Sequence, residues 1–338
     1  MIKAKTVLVV GAGASAELNL PTGEKLKELI RDRLDFDRPD SQEFRALLQI
    51  YAVSQNWPKQ TLNLTKSIRN GLVYAKSIDN FIRTHDANQE LVEICKLTIA
   101  YVITKCEQGS FLTQDGALKS IHNRHPVWLE VFAQNLFAEL SVKQLHSTFS
   151  DLKIVCFNYD RCIEVYMQRA IADYFMVDSN YAQQLASQLE IIHPYGSLGS
   201  LWGEAEIVEF AASHITSKLE VSAKNIRTFH EGVSNPEIGN KIKSALLWAE
   251  TIVFLGFGFL AQNMELIKSA PQPWPMSFVK MFATAHGFSP ENLNIACQDL
   301  RTLINAENDG SRVSLRVPDT ARKCADLLDA HRAELFGL

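Results

Sequence analysis

The sequence predicts an α/β fold built on a parallel sheet, and three observations carry that expectation. Thr6–Val10 is an unbroken apolar run rich in β-branched residues and closed by Gly11, the pattern of a strand buried on both faces. Comparable runs recur at Leu152–Phe157, Glu190–His193, Thr251–Leu255 and Val279–Thr284. The stretches between them show helical spacing, and strands alternating with helices imply parallel crossovers.

Each element has its own justification. Residues 22–34 predict a helix with Leu26, Leu29, Ile30 and Leu34 on one face and charges between them. From about Ser41 to Leu140 the pattern stays helical. Leu91, Ile94, Cys95 and Thr98 keep the spacing, and Val127, Val131 and Leu136 follow it less strictly. That block is too long for a loop, so residues 41–145 are expected to form a large helical insertion after the first strand. The period changes at Leu152, where the second strand begins, and the fourth ends at Gly256. Residues 1–40 and 146–290 then make the sheet domain. Residues 291–338, with one short strand expected at Val313–Val317, make a C-terminal α/β extension packed on it.

Composition narrows the function classes. The 338 residues are 46% hydrophobic and 21% charged, ordinary for a soluble globular chain able to bury a sizeable core. A formal net charge of −4 supplies no field to recruit nucleic acid or an anionic membrane. No apolar run approaches the roughly 18–20 residues that span a bilayer. The six cysteines (Cys95, Cys106, Cys156, Cys162, Cys297, Cys324) form no CxxC pair, so no metal is expected, and they read as reduced core residues of a cytoplasmic protein. Ala14–Ala16 imitates a signal-peptidase site, but cleavage there would remove Gly11 and Gly13, the best motif in the chain.

That motif, Gly11-Ala12-Gly13-Ala14-Ser15-Ala16, matches GxGxxG/A directly after a strand and before a helix. Glycines there permit a tight turn and let backbone N–H groups approach a pyrophosphate; the plainer alternative is a strand-to-helix turn and nothing more. A dehydrogenase would continue to a second strand ending in an acidic ribose ligand about 20 residues on. Here Leu20-Pro21-Thr22-Gly23 and helical sequence follow, which weakens that alternative.

Five segments in order resemble the sirtuin-like NAD+ hydrolases of bacterial anti-phage defence systems. They are Gly11–Ser15 with Leu20–Gly23, Ser77–Phe81, Phe157-Asn158-Tyr159-Asp160, His193–Leu198 and Phe254–Gly258, with Ala283–His286 as a possible sixth. The resemblance implies a Rossmann-like, sirtuin-like sheet that binds NAD+ as substrate. It places Gly11, Ala12, Gly13, Ser15, Thr22, Gly23, Gly196, Ser197, Gly256, Phe257 and Gly258 around the dinucleotide. It assigns the chemistry to Asn158, Asp160, His193 and Tyr195.

The chemistry is consistent with those roles. Nicotinamide leaves NAD+ as a neutral molecule and needs no general acid, while the sugar carbon becomes oxocarbenium-like. Asn158 is suited to bond the ribose and orient a water, and Asp160 to accept from the carboxamide and favour the developing cation. Helix capping is the alternative role for both. His193 is suited to act as base on a ribose hydroxyl. Sirtuins, however, usually place histidine immediately before the glycine, where this chain has Tyr195. Residues two apart on an extended strand share a face, so His193 is favoured with Tyr195 beside it or partly replacing it. Gly256 and Gly258 would approach the adenosine end or simply make another turn, and Asn263 and Glu265 read as ordinary helix residues.

The paired cysteines of the sirtuin zinc module and the arginine-containing segment after the first turn are both missing. Water as nucleophile would then give nicotinamide and ADP-ribose. The alternatives are NAD+ or ADP-ribose sensing without turnover, ADP-ribosyl transfer or deacylation, and ordinary dehydrogenase chemistry. Because free NAD+ hydrolysis is toxic, the resemblance implies control by homo-oligomerisation or by a defence partner such as a translocating ATPase.

Overall fold

Thr6–Val10 (β1), Leu152–Cys156 (β2), Glu190–Ile192 (β3), Thr251–Leu255 (β4), Val279–Ala283 (β5) and Val313–Leu315 (β6) form one sheet in the computed structural model. It describes residues 2, 4–113, 127–203, 206–213, 215–234, 236–268, 279–303, 313–316 and 320–337. Every pairing is parallel and the order is β3-β2-β1-β4-β5-β6. That is the order of doubly wound, Rossmann-like sheets. Each anticipated run becomes a strand; Phe157, His193 and Thr284 lie just past the strand ends, and Val317 lies outside the described residues.

The two-residue period of β1 divides the core. Val7 and Val9 join one apolar cluster with Leu26, Phe44, Ile99 and Ile242, while Leu8 and Val10 join the other with Trp128, Met167, Phe282 and Leu328. Helices therefore cover both faces. Those between Gly23 and Gln108, together with Ile215–Asn225, Pro236–Trp248, Ala261–Lys268 and Pro290–Leu303, contribute to the first cluster. Trp128–Phe137, Cys162–Phe175, Ser179–Ala186 and the last two helices, Cys324–Ala330 and Arg332–Phe336, contribute to the second.

The helical stretch between β1 and β2 is thus divided between the two faces; its residues 114–126 lie outside the described residues. Its longest member, Gln89–Gln108, starts at Asn88, whose Oδ1 accepts from the Leu91 N–H (3.0 Å), and ends at Gly109. It is apolar around most of its circumference because it lies between the helices Gly23–Arg33 and Ile215–Asn225. Among the described residues, no helix is long and apolar enough to cross a membrane.

Candidate functional site

The strand order reverses between β1 and β4, and a cleft of about 520 Å³ opens at the C-terminal ends of those strands. Ligands of open α/β sheets bind at this switch point.

The floor of the cleft is two glycine turns in backbone contact. Gly11 N–H donates to Leu255 O (2.9 Å) and Gly13 N–H to Gly256 O (3.0 Å). A Cβ on Gly13 would stand 2.9 Å from Gly256 O, and one on Gly256, whose φ is +57°, would stand 2.0 Å from Ala14 N. Glycine is therefore required by the meeting of two chain segments. The Gly13 N–H, anticipated as a phosphate donor, is committed to that contact. Ala12, Phe257 and Gly258 line the cleft above it. Thr22 and Gly23 also line it, with Thr22 Oγ1 accepting from Lys25 N–H (3.4 Å) at the start of the helix Gly23–Arg33.

Beside this floor, the loop after β2 presents Asn158 and Asp160. Asn158 Nδ2 donates to Gly11 O (3.0 Å) and to Ser15 Oγ (2.7 Å), and Ser15 Oγ donates to Asp160 Oδ2 (2.8 Å). An amide NH2 only donates, so the chain has a fixed direction that ends on the carboxylate. Asp160 Oδ1 accepts from Cys162 N–H (3.2 Å). Burial pushes the Asp160 carboxyl above its ordinary range, and the Ser15 and Cys162 donors offset part of that rise.

The next residue anchors the loop. Arg161 and Glu107 form a fully buried pair, with Arg161 Nη2 2.8 Å and Nε 3.2 Å from the two carboxylate oxygens. Arg161 also donates to the carbonyls of Val208 and Glu209, and Glu107 accepts from Ala211 N–H (3.0 Å), so the charges are well satisfied. Removing one partner of such a pair costs about 3–5 kcal/mol.

Tyr195 lines the same cleft as Asn158 and Asp160; its hydroxyl donates to Asn263 Oδ1 (2.8 Å) and accepts from Gln262 Nε2 (3.3 Å). His193 does not. β3 ends at Ile192 and the chain turns through Pro194 to Gly196, with Gly196 N–H donating to His193 O (3.1 Å) and Gly196 at φ +73°. The alternation rule for extended strands lapses in that turn, so His193 and Tyr195 part company. His193 Nδ1 lies 3.1 Å from the Asn158 carbonyl and Nε2 lies 3.2 Å from Glu164 Oε1. It lines a second cavity of about 870 Å³ along with Gly196 and Ser197. A Cβ on Gly196 would stand 1.9 Å from Asn225 O, which accounts for that glycine.

The cleft also holds residues not singled out from sequence. The Tyr159 hydroxyl donates to Asp79 Oδ1, and both residues line the cleft. Burial raises the Asp79 carboxyl above its ordinary range, with the Tyr159 donor opposing. Asp79 lies in the Ser77–Phe81 segment that carried part of the resemblance, two residues after Ser77, whose Oγ caps the helix Ile78–Thr84 by accepting from Asn80 N–H (3.0 Å). Asn263 is a cleft residue and not only a helix residue. Glu17 accepts from the Trp128 N–H (2.7 Å) and the Cys324 N–H (2.9 Å), joining two helix starts.

Comparison with protein-family models, curated proteins and solved structures returned no match.

Proposed function

We propose that the cleft binds NAD+ and that the protein hydrolyses the nicotinamide–ribose bond. The observation that supports this most is the gathering of Asn158, Asp160, Tyr195 and both glycine turns at the switch point of a Rossmann-like sheet. With both Nδ2 hydrogens of Asn158 engaged, Oδ1 is the atom left to accept from a water or a ribose hydroxyl. A water held there attacks the anomeric carbon as the bonding pair leaves on the nicotinamide nitrogen, giving nicotinamide, ADP-ribose and one proton. Asp160, at the end of the Asn158–Ser15 chain, supplies negative charge near the developing sugar cation. His193 serves as a positioning residue on the Asn158 carbonyl. By the resemblance, the biological role is NAD+ depletion in anti-phage defence, released by self-assembly or by a partner such as a translocating ATPase.

NAD+ sensing without turnover is the second reading. It is favoured by the place of His193 outside the cleft and of exposed His286 on its lining. Chromatography of NAD+ incubated with the protein separates the two. Hydrolysis predicts nicotinamide and ADP-ribose from the wild type and a loss of about 100-fold or more in Asn158→Ala. His193→Ala is expected to keep activity within about tenfold of wild type, since it acts only through the Asn158 backbone. NAD+ binding without products would establish sensing, and neither binding nor products would refute both.

A further inference from the structure

The acidic side chains of the cleft differ in what holds them. The acidic and basic lining residues are Glu17, Asp79, Asp160, His286 and Lys323, beside the hydroxyls of Tyr159 and Tyr195 and the Cys324 thiol. Glu17 accepts two backbone N–H groups, and Asp160 accepts the Ser15 hydroxyl and the Cys162 N–H. Asp79 receives the Tyr159 hydroxyl, and among the described residues no cation pairs with it. Arg83, one turn further along the same helix, instead meets Glu265 (3.4 Å) and stands 4.4 Å from the Phe229 ring centre.

Strand order sets Asp79 and Asp160 on one side of the cleft and His286 and Lys323 on the other, with Glu17, after β1, joined to the Cys324 N–H. Tyr159 and Asp160 follow β2, on one side of the β1–β4 pair, and Asp79 is tied to Tyr159. His286 follows β5, on the other side. Lys323 lies three residues past Thr320, whose carbonyl accepts from Gly287 N–H (3.2 Å) beside that strand end. The acidic side is also aromatic: the Phe157 and Tyr195 rings are 5.9 Å apart, and the Tyr159 and Tyr195 rings 6.4 Å apart. A carboxyl bonded to the hydroxyl of one of these rings favours a flat cation beside it, whereas the side holding Lys323 suits phosphate.

We propose that Asp79, oriented by Tyr159, is the residue that selects the cationic oxidised pyridinium of NAD+ over the neutral ring of NADH. This rests on the NAD+ reading of the cleft. The oxidised and reduced dinucleotides share the adenosine and pyrophosphate groups, so a change in their affinity ratio when only the Asp79 charge is removed reports the ring charge.

The test is calorimetric titration with NADH and with carba-NAD+, whose ring is cationic and whose ribose–nicotinamide bond resists hydrolysis. The wild type is expected to bind carba-NAD+ about tenfold or more tightly than NADH. Asp79→Asn is expected to remove most of that preference by weakening carba-NAD+ alone. Tyr159→Phe, which deletes the orienting hydroxyl, is the second variant and is expected to reduce the ratio severalfold. NADH affinity reports the integrity of the site in each variant. A merely structural role for Asp79 would lower both affinities together. Equal wild-type affinity for the two, or an unchanged ratio in the folded variants, overturns the assignment and leaves the NAD+ reading standing. Binding of neither by the wild type removes both.

Discussion

Asp79 shows how a single residue is placed at the expense of the fold. Its carboxyl titrates above its ordinary value because burial disfavours the charge and the Tyr159 hydroxyl only partly opposes that. A carboxyl whose folded-state pKa is raised loses stability as pH climbs from the unfolded value through the folded one. Asp79→Asn is therefore expected to raise the melting temperature of the ligand-free protein at pH 7. The gain should shrink as pH falls through the raised folded-state value and the wild-type carboxyl takes up its proton; a gain independent of pH would contradict the charge argument. Sequence disclosed this residue only as part of a resembling segment, because its partner, Tyr159, is 80 residues away along the chain. Asn158, Asp160 and Tyr195 came into view through the resembling segments that follow β2 and β3. His193 was misplaced because a turn through Pro194 and Gly196 undid the two-residue alternation.

Strands were the most legible elements, since continuous apolar runs leave few other interpretations. The sheet order was not legible, because pairing β1 with both β2 and β4 depends on contacts that no local pattern records. The glycine turns illustrate the same limit. Gly11 and Gly13 read locally as a phosphate turn, yet what excludes a side chain there is the backbone of Gly256. Gly256→Ala combines a left-handed backbone with direct overlap on Ala14 N. It is expected to cost about 2 kcal/mol or more, read as a lower denaturation midpoint with an unchanged slope. Gly258→Ala, with open space around the position, should cost far less. Equal effects would refute the interlock as the reason for the glycine.

At the scale of the whole molecule, the helices Gln42–Ser54 through Gln89–Gln108 share one apolar cluster with Val7 and Val9 of the central strand. Replacing residues 42–108 by a short linker is expected to abolish the cooperative thermal transition; a trimmed protein that still melted cooperatively would show that the sheet keeps its core unaided. The segment's length and helical period were plain from sequence. Its sharing of the sheet's core was not, because a helix that buries nearly all its faces gives no hint of what it buries them against.

Glu17 ties the two ends of the chain together. It sits one residue beyond the first glycine-turn helix, Ala12–Ala16, yet one of its oxygens caps the helix that begins at Cys324. A protease that clipped the chain near Arg322 would leave Asn158, Asp160 and Tyr195 untouched. It would nonetheless loosen the donors that Cys324 and its helix supply to a part-buried acid beside the first turn. The helices that begin at Cys324 and Arg332 thus brace the first glycine turn from the other end of the sequence.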